Sequence, residues 1–155
     1  MEKTKEIVIS DAEWEIMRVV WANIQVTSRE VIDVLQEKMA WKESTVKTLM
    51  RRLVEKEALS TEKEGRAFIY RANITEEETV KDFSDLILER VCDKKNGLVI
   101  QHLVEDAKLS QSDIETLILQ LEEKMKDAPE VVPCNCIPGQ CACHLIEDIE
   151  PVKYS

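Results

Sequence analysis

The chain has 155 residues, 44% of them hydrophobic and 34% charged, with 3 glycines. It is too apolar for a disordered chain and too poor in glycine for an all-β one, so the composition predicts a mainly α (α+β) fold of one large or two small domains. The 21 basic and 31 acidic residues give a net charge of −10, which counts against nucleic acid as a partner unless the average conceals a basic patch.

The first ten residues, MEKTKEIVIS, lack the apolar run of roughly 7–15 residues that a signal peptide needs. No later stretch approaches the roughly 18 apolar residues needed to span a bilayer. A cytoplasmic protein with no membrane partner is expected, its five cysteines reduced and open to metals or oxidants. All four prolines and four of the five cysteines fall beyond residue 128, where something non-helical begins.

Ser10-Asp11-Ala12-Glu13 is a capping box with Ile9 and Trp14 as its hydrophobic staple, and Thr27-Ser28-Arg29-Glu30 repeats the arrangement with Val26 and Val31. The spacing predicts a helix over 11–22 with Trp14, Met17, Val20 and Trp21 inward. A second is predicted over 28–38 with Val31, Val34 and Leu35 on one face. From 43 to 57, Val46, Leu49, Met50 and Leu53 form the stripe of a third. Residues 59–63 and 67–72 flank Glu64-Gly65-Arg66, and Phe68-Ile69-Tyr70 has strand character, so a two-stranded hairpin is expected.

Three compact helices and a hairpin give the order of a winged helix-turn-helix domain, here 1–74. In that fold the third helix enters the major groove and the hairpin tip reaches the backbone. Thr75-Glu76-Glu77-Glu78 opens a further helix with Val80, Phe83, Leu86, Ile87 and Val91 inward. Asn96-Gly97 is expected to break it, and helices over 98–107 and 111–126 follow. Three short helices have little core of their own, so residues 75–128 read as a dimerisation module whose stripes meet a second copy, making a homodimer.

Charge is unevenly divided. Residues 1–74 hold 13 basic and 13 acidic residues, and residues 75–155 hold 8 and 18, so the whole negative balance lies in the second half. Between Lys38 and Arg71, nine basic residues face five acidic ones, on the two elements that would touch DNA. Lys42, Ser44, Thr45, Lys47, Thr48 and Arg51 are candidate contacts to phosphates or base edges, and Arg66 at the hairpin tip is a candidate phosphate contact. For Ser44 and Thr45 the alternative role is to satisfy backbone N–H groups of the first helical turn.

The tail, 129–155, carries Cys134-Asn135-Cys136-Ile137-Pro138-Gly139-Gln140-Cys141-Ala142-Cys143, a C-x-C-x4-C-x-C element. Pro138-Gly139 is a turn dipeptide that folds one C-x-C arm back on the other, so four thiolates converge from ten residues. Four sulfurs close a tetrahedral structural Zn(2+) site, and thiolate softness equally selects Cu(+). Metal binding is favoured over a redox switch, an iron–sulfur site or extracellular disulfides. Cys92 is expected to sit in a helix far from this cluster as a small buried apolar residue. An enzyme is disfavoured, since a four-thiolate site leaves no open position and neither His102 nor His144 comes with a local nucleophile or phosphate loop.

Ile9 to Met17, Val20-Trp21, Trp41, Ser44 to Leu49 and Arg52-Leu53 resemble the winged-helix domain of the penicillinase (BlaI/MecI-type) repressors. The cysteine tail resembles that of their copper-responsive, CopY/TcrY-type branch, which regulates copper-transport operons. The resemblance implies a homodimer on an inverted-repeat operator in double-stranded DNA, with zinc in the tail supporting DNA binding and Cu(I) displacing it to release repression. A chaperone delivering Cu(I) is a partner such a sensor would take. Lys42-Glu43 departs from the family, which commonly opens this helix with Ser or Thr after the tryptophan. That leaves the N-cap, worth about 1 kcal/mol, weaker or supplied differently. Two other readings stay open: a thiolate-rich metal carrier or buffer, and a penicillinase-type repressor inactivated by proteolysis.

Overall fold

The computed structural model describes residues 7–142, and its helices begin where side-chain caps place them. Ser10 Oγ accepts from the Glu13 amide at 3.2 Å while Glu13 Oε2 accepts from the Ser10 amide at 3.2 Å, which opens α1 (Asp11–Trp21). Thr27 and Glu30 do the same for α2 (Ser28–Met39), Thr75 and Glu78 for α4 (Glu76–Glu89), and Ser110 and Asp113 for α6 (Gln111–Met125). Each box satisfies two amides that the helix geometry orphans. The exceptions are α3 (Glu43–Glu55), where Lys42 stands at the N-cap and makes no side-chain cap, and α5 (Asn96–Asp106), where Lys95 makes none either.

The hairpin consists of β2 (Leu59–Glu64) and β3 (Ala67–Ala72), paired antiparallel from Leu59↔Ala72 to Glu64↔Ala67. Gly65 takes φ +63° at the first position of the two-residue loop, a conformation most side chains resist, and so sets Arg66 at the tip. A third strand, β1 (Val26–Thr27), pairs with β3 through Val26↔Tyr70 and Thr27↔Ile69, giving the order β1-β3-β2. In sequence these two residues signal only a staple and a cap, because two residues carry no alternation. Their pairing comes from β3. Three helices and this small sheet form a winged helix-turn-helix.

Its core is made of Ile16, Met17 and Val20 from α1, Val31, Ile32 and Leu35 from α2, and Val46, Leu49, Met50 and Leu53 from α3, closed by Val26, Ala58 and Leu59. Two expectations shift. Val34, expected inward, is 46% exposed, and Ile32 is buried in its place. At 100° per residue, positions 31, 32 and 35 span one narrow face while 34 falls well outside it. Trp14 and Trp21 sit half-buried at the margin of the α1 face, edge to face at 5.9 Å, and Ile16 takes the centre. The Trp21 indole N–H donates to the Ile74 carbonyl at 2.9 Å, tying α1 to the chain just after the hairpin.

Glu13 is 3% exposed, and Lys56 answers its charge at 2.6 Å while also donating to the Val8 carbonyl. A buried carboxylate needs such a partner.

The chain divides into two units, Met1–Phe83 and Ser84–Ser155, with the boundary inside α4. In the first, Phe83 meets Trp14 edge to face at 5.6 Å. In the second, α4 ends at Glu89, a 3₁₀ turn spans Asp93–Lys95, and α5 (Asn96–Asp106) and α6 follow. The break thus precedes Asn96-Gly97, which was expected to make it. The Lys95 amide closes the 3₁₀ turn on the Cys92 carbonyl at 2.7 Å, and Asn96-Gly97 open α5. Neither α5 nor α6 has a buried residue, and Leu103, Val104, Ile118, Leu119, Leu121 and Met125 are exposed. No helix among the described residues is long and apolar enough to cross a membrane.

Candidate functional site

Two surfaces carry chemistry, one in each unit. In the first, burial of Val46, Leu49, Met50 and Leu53 leaves the opposite side of α3 to solvent, with Lys42, Ser44, Thr45, Lys47 and Arg51 exposed. Thr48 is half-buried, and its hydroxyl donates to the Ser44 carbonyl at 2.9 Å, which keeps its lone pairs for an outside donor. Arg66 is exposed at the hairpin tip.

Carboxylates hold some of these cations loosely. Lys47 reaches Glu43 at 2.6 Å, Arg29 reaches the same carboxylate at 3.9 Å, and Arg51 lies 3.9 Å from Glu55. The Lys47 hydrogen bond and charge, with help from Arg29, hold the Glu43 carboxyl below its ordinary value. A negative group at the N-terminus of a helix without a side-chain cap also offsets the positive end of its dipole. Exposed pairs of this kind contribute little, so a competing anion would displace the carboxylate easily.

In the second unit, the sulfurs of Cys92, Cys134, Cys136 and Cys141 all lie within 4.8 Å of one another. Cys134 is 3.2 Å from Cys141 and 3.5 Å from Cys92, and the Cys136 amide points at the Cys134 sulfur at 3.4 Å. Gly139 adopts φ +94° in the turn between the C-x-C arms, and the Gln140 amide closes it on the Ile137 carbonyl at 3.1 Å. The Pro138-Gly139 turn therefore brings the arms together as its chemistry predicts.

The donor set fits a soft cation. Zinc–sulfur bonds of about 2.3 Å place the corners of a tetrahedron about 3.8 Å apart, within the range these sulfurs span. The protons on crowded thiols must leave before a metal enters. The Cys136 thiol is pushed up from its ordinary value, first by its hydrogen bond with Cys141, then by burial and by Cys92 and Cys134. Acid would therefore oppose the entry of a metal ion.

Of the four tail cysteines read from the sequence, the structure brings Cys134, Cys136 and Cys141 together. Cys143 lies outside the described residues. Cys92 is buried as expected, at 6% exposure, but its sulfur faces the cluster and not only an apolar neighbourhood. Its 42-residue separation from Cys134 hid that role, because spacing rules read only nearby ligands. The one available signal was an unassigned fifth cysteine in a chain with a thiolate motif.

A winged helix and a cluster of four thiols that could hold a metal ion define the class of protein. The chain belongs to the penicillinase repressor family, whose sequence pattern matches residues 9–123. It is 46% identical over 142 residues to an uncharacterised 16.5 kDa protein of Latilactobacillus sakei, covering 92% of this chain and 96% of that one. It is 36% identical over 115 residues to the penicillinase repressor of Bacillus licheniformis, covering 74% of this chain and 90% of that one. The solution structure of the DNA-binding domain of the repressor BlaI is 43% identical, covering 47% of this chain and 90% of that one, with a TM-score of 0.44. The family match ends before Cys134, so the tail thiols lie outside the part shared across the family.

Proposed function

We propose that the chain is a copper-responsive transcriptional repressor. It binds an inverted-repeat operator of a copper-transport operon as a homodimer, holds DNA when zinc fills the thiolate centre, and lets go when Cu(I) displaces zinc. Residues 1–74 bind the DNA, 75–128 form the dimer and 129–155 bind the metal. It acts in the cytoplasm, where a chaperone delivers Cu(I). Membership of a repressor family supports the first part. The observation that carries the second is the convergence of four thiols within 4.8 Å on a chain that also has a winged helix.

Each part follows from residues already described. Lys42, Ser44, Thr45, Lys47, Thr48 and Arg51 face the major groove from α3, and Arg66 reaches a phosphate beside it. Two copies read half-sites about 34–36 Å apart, or a multiple of that. The exposed stripes of α5 and α6 are apolar surface that a second copy removes from water. Cys134, Cys136, Cys141 and Cys143 hold the metal with thiolates, which suit Zn(2+) in fourfold coordination and Cu(+) by softness. A bound cation supplies a charge that ties these sulfurs into one geometry. A coupling of about 1–3 kcal/mol between this geometry and DNA affinity gives a 5- to 150-fold response.

The test is a titration of the purified chain on its own upstream DNA, with metal content and DNA release followed together. Zinc-loaded protein is expected to bind with affinity that falls steeply as salt rises, and Cu(I) to release it as zinc leaves. With all four tail cysteines changed to serine, release by copper should vanish. Copper release that survives in that variant overturns the sensor. Absence of salt-dependent duplex binding overturns the repressor and leaves a metal carrier.

A further inference from the structure

The cysteine outside the tail is the group that neither the sequence motif nor the family accounts for. Cys92 follows α4 by three residues and begins the turn that leads into α5. A cysteine buried only for packing has no reason to place its sulfur among other sulfurs. Here Cys92 lies 3.5 Å from Cys134 and within 4.8 Å of Cys136 and Cys141.

Two hydrogen bonds hold that arrangement. Asn135, between the first two tail cysteines, accepts through Oδ1 from the Asp93 amide at 3.0 Å, so the residues following Cys92 and Cys134 are pinned to each other. The Lys95 amide bonds the Cys92 carbonyl at 2.7 Å, which fixes Cys92 itself. Around the thiols is a cleft of about 460 Å³ lined by Arg90, Lys95 and Glu89 as its charged residues. Four thiolates around a divalent cation carry a net charge of −2, and a lining with two cations and one anion offsets part of it.

Resting on the metal-centre reading above, we propose that Cys92 is a metal ligand. It takes the fourth position beside Cys134, Cys136 and Cys141, the position the tail motif alone assigns to Cys143, and anchors the metal-bound tail to the turn between α4 and α5. Metal occupancy is then felt at the end of a helix and not only within the tail.

The probe is Cd(2+), a soft cation that replaces zinc in thiolate sites and has an NMR-active isotope. On the unmodified full chain, a through-bond correlation is expected between bound cadmium and the Cβ protons of Cys92, alongside those of tail cysteines. Metal is also expected to slow amide exchange across residues 91–95. Cys92→Ser should lose that slowing and weaken Zn(2+) binding by more than roughly tenfold in competition with a chelator. If this variant does not fold, the correlation on the unmodified chain decides alone. Cadmium bound with correlations to tail cysteines only overturns this proposal and leaves the metal centre standing. A chain that binds neither Cd(2+) nor Zn(2+) overturns both.

Discussion

The two units bury apolar residues to very different extents. In the first, α1, α2 and α3 each bury three or more residues in one cluster, and the hairpin closes it. In the second, α5 and α6 bury none, and the tail is tied back by sulfur contacts and a hydrogen bond from the Asp93 amide to Asn135 Oδ1. The first unit completes its core within a single chain. The second leaves its apolar stripes in water, and under the proposed function a second copy along the helices and a cation among the thiols would complete it. A regulatory protein profits from that difference, because elements with little stability of their own respond most to a ligand.

The sharpest test of the core side is Leu53→Ala. Leu53 is fully buried among three helices, so the variant should lose about 2–5 kcal/mol. Urea unfolding followed by the fluorescence of Trp14, Trp21 and Trp41, all in the first unit, measures it. A loss under about 1 kcal/mol would mean the core is not where the unit's stability resides.

The converse test is Leu121→Lys in α6. Leu121 is 55% exposed, so the change should leave the same urea transition of the first unit within about 0.5 kcal/mol. It should nonetheless raise the dimer dissociation constant by about tenfold or more in sedimentation, because a charge then enters an apolar interface. An unchanged dimer would show that the exposed stripe is not the contact between copies.

The smallest effect lies at α3. The Glu43 carboxyl is held below its ordinary value of 4.5 by Lys47 and then Arg29, so its contribution to stability is present above that value and is lost as pH falls through the lower folded value. Wild type and Glu43→Gln should therefore differ slightly at neutral pH and converge as pH falls below 4.5 in paired urea titrations. A difference that grows with acid would have the wrong sign.

Much of the first unit was legible from short-range chemistry. Capping boxes at Ser10, Thr27 and Thr75 begin helices within a few residues of the side chains that signal them, and Gly65 marks the hairpin loop. Ile32 displaced Val34 because the direction of a buried face is chosen by the helices against it, and periodicity alone leaves neighbouring faces open. The two-residue β1 exists only through its bonds to β3, more than forty positions away. In the candidate site, the tail motif with its turn was readable, and the fifth thiol was not.

By itself, then, the sequence determined the starts of the capped helices, the hairpin, the basic excess between Lys38 and Arg71 and the turn between the C-x-C arms. All of these rest on interactions between residues a few positions apart. Only the tertiary structure decided which side of α2 faces inward, that β1 pairs with β3, and that Cys92 joins Cys134 across 42 residues. Contacts between distant segments depend on how whole elements pack, and no local pattern encodes that.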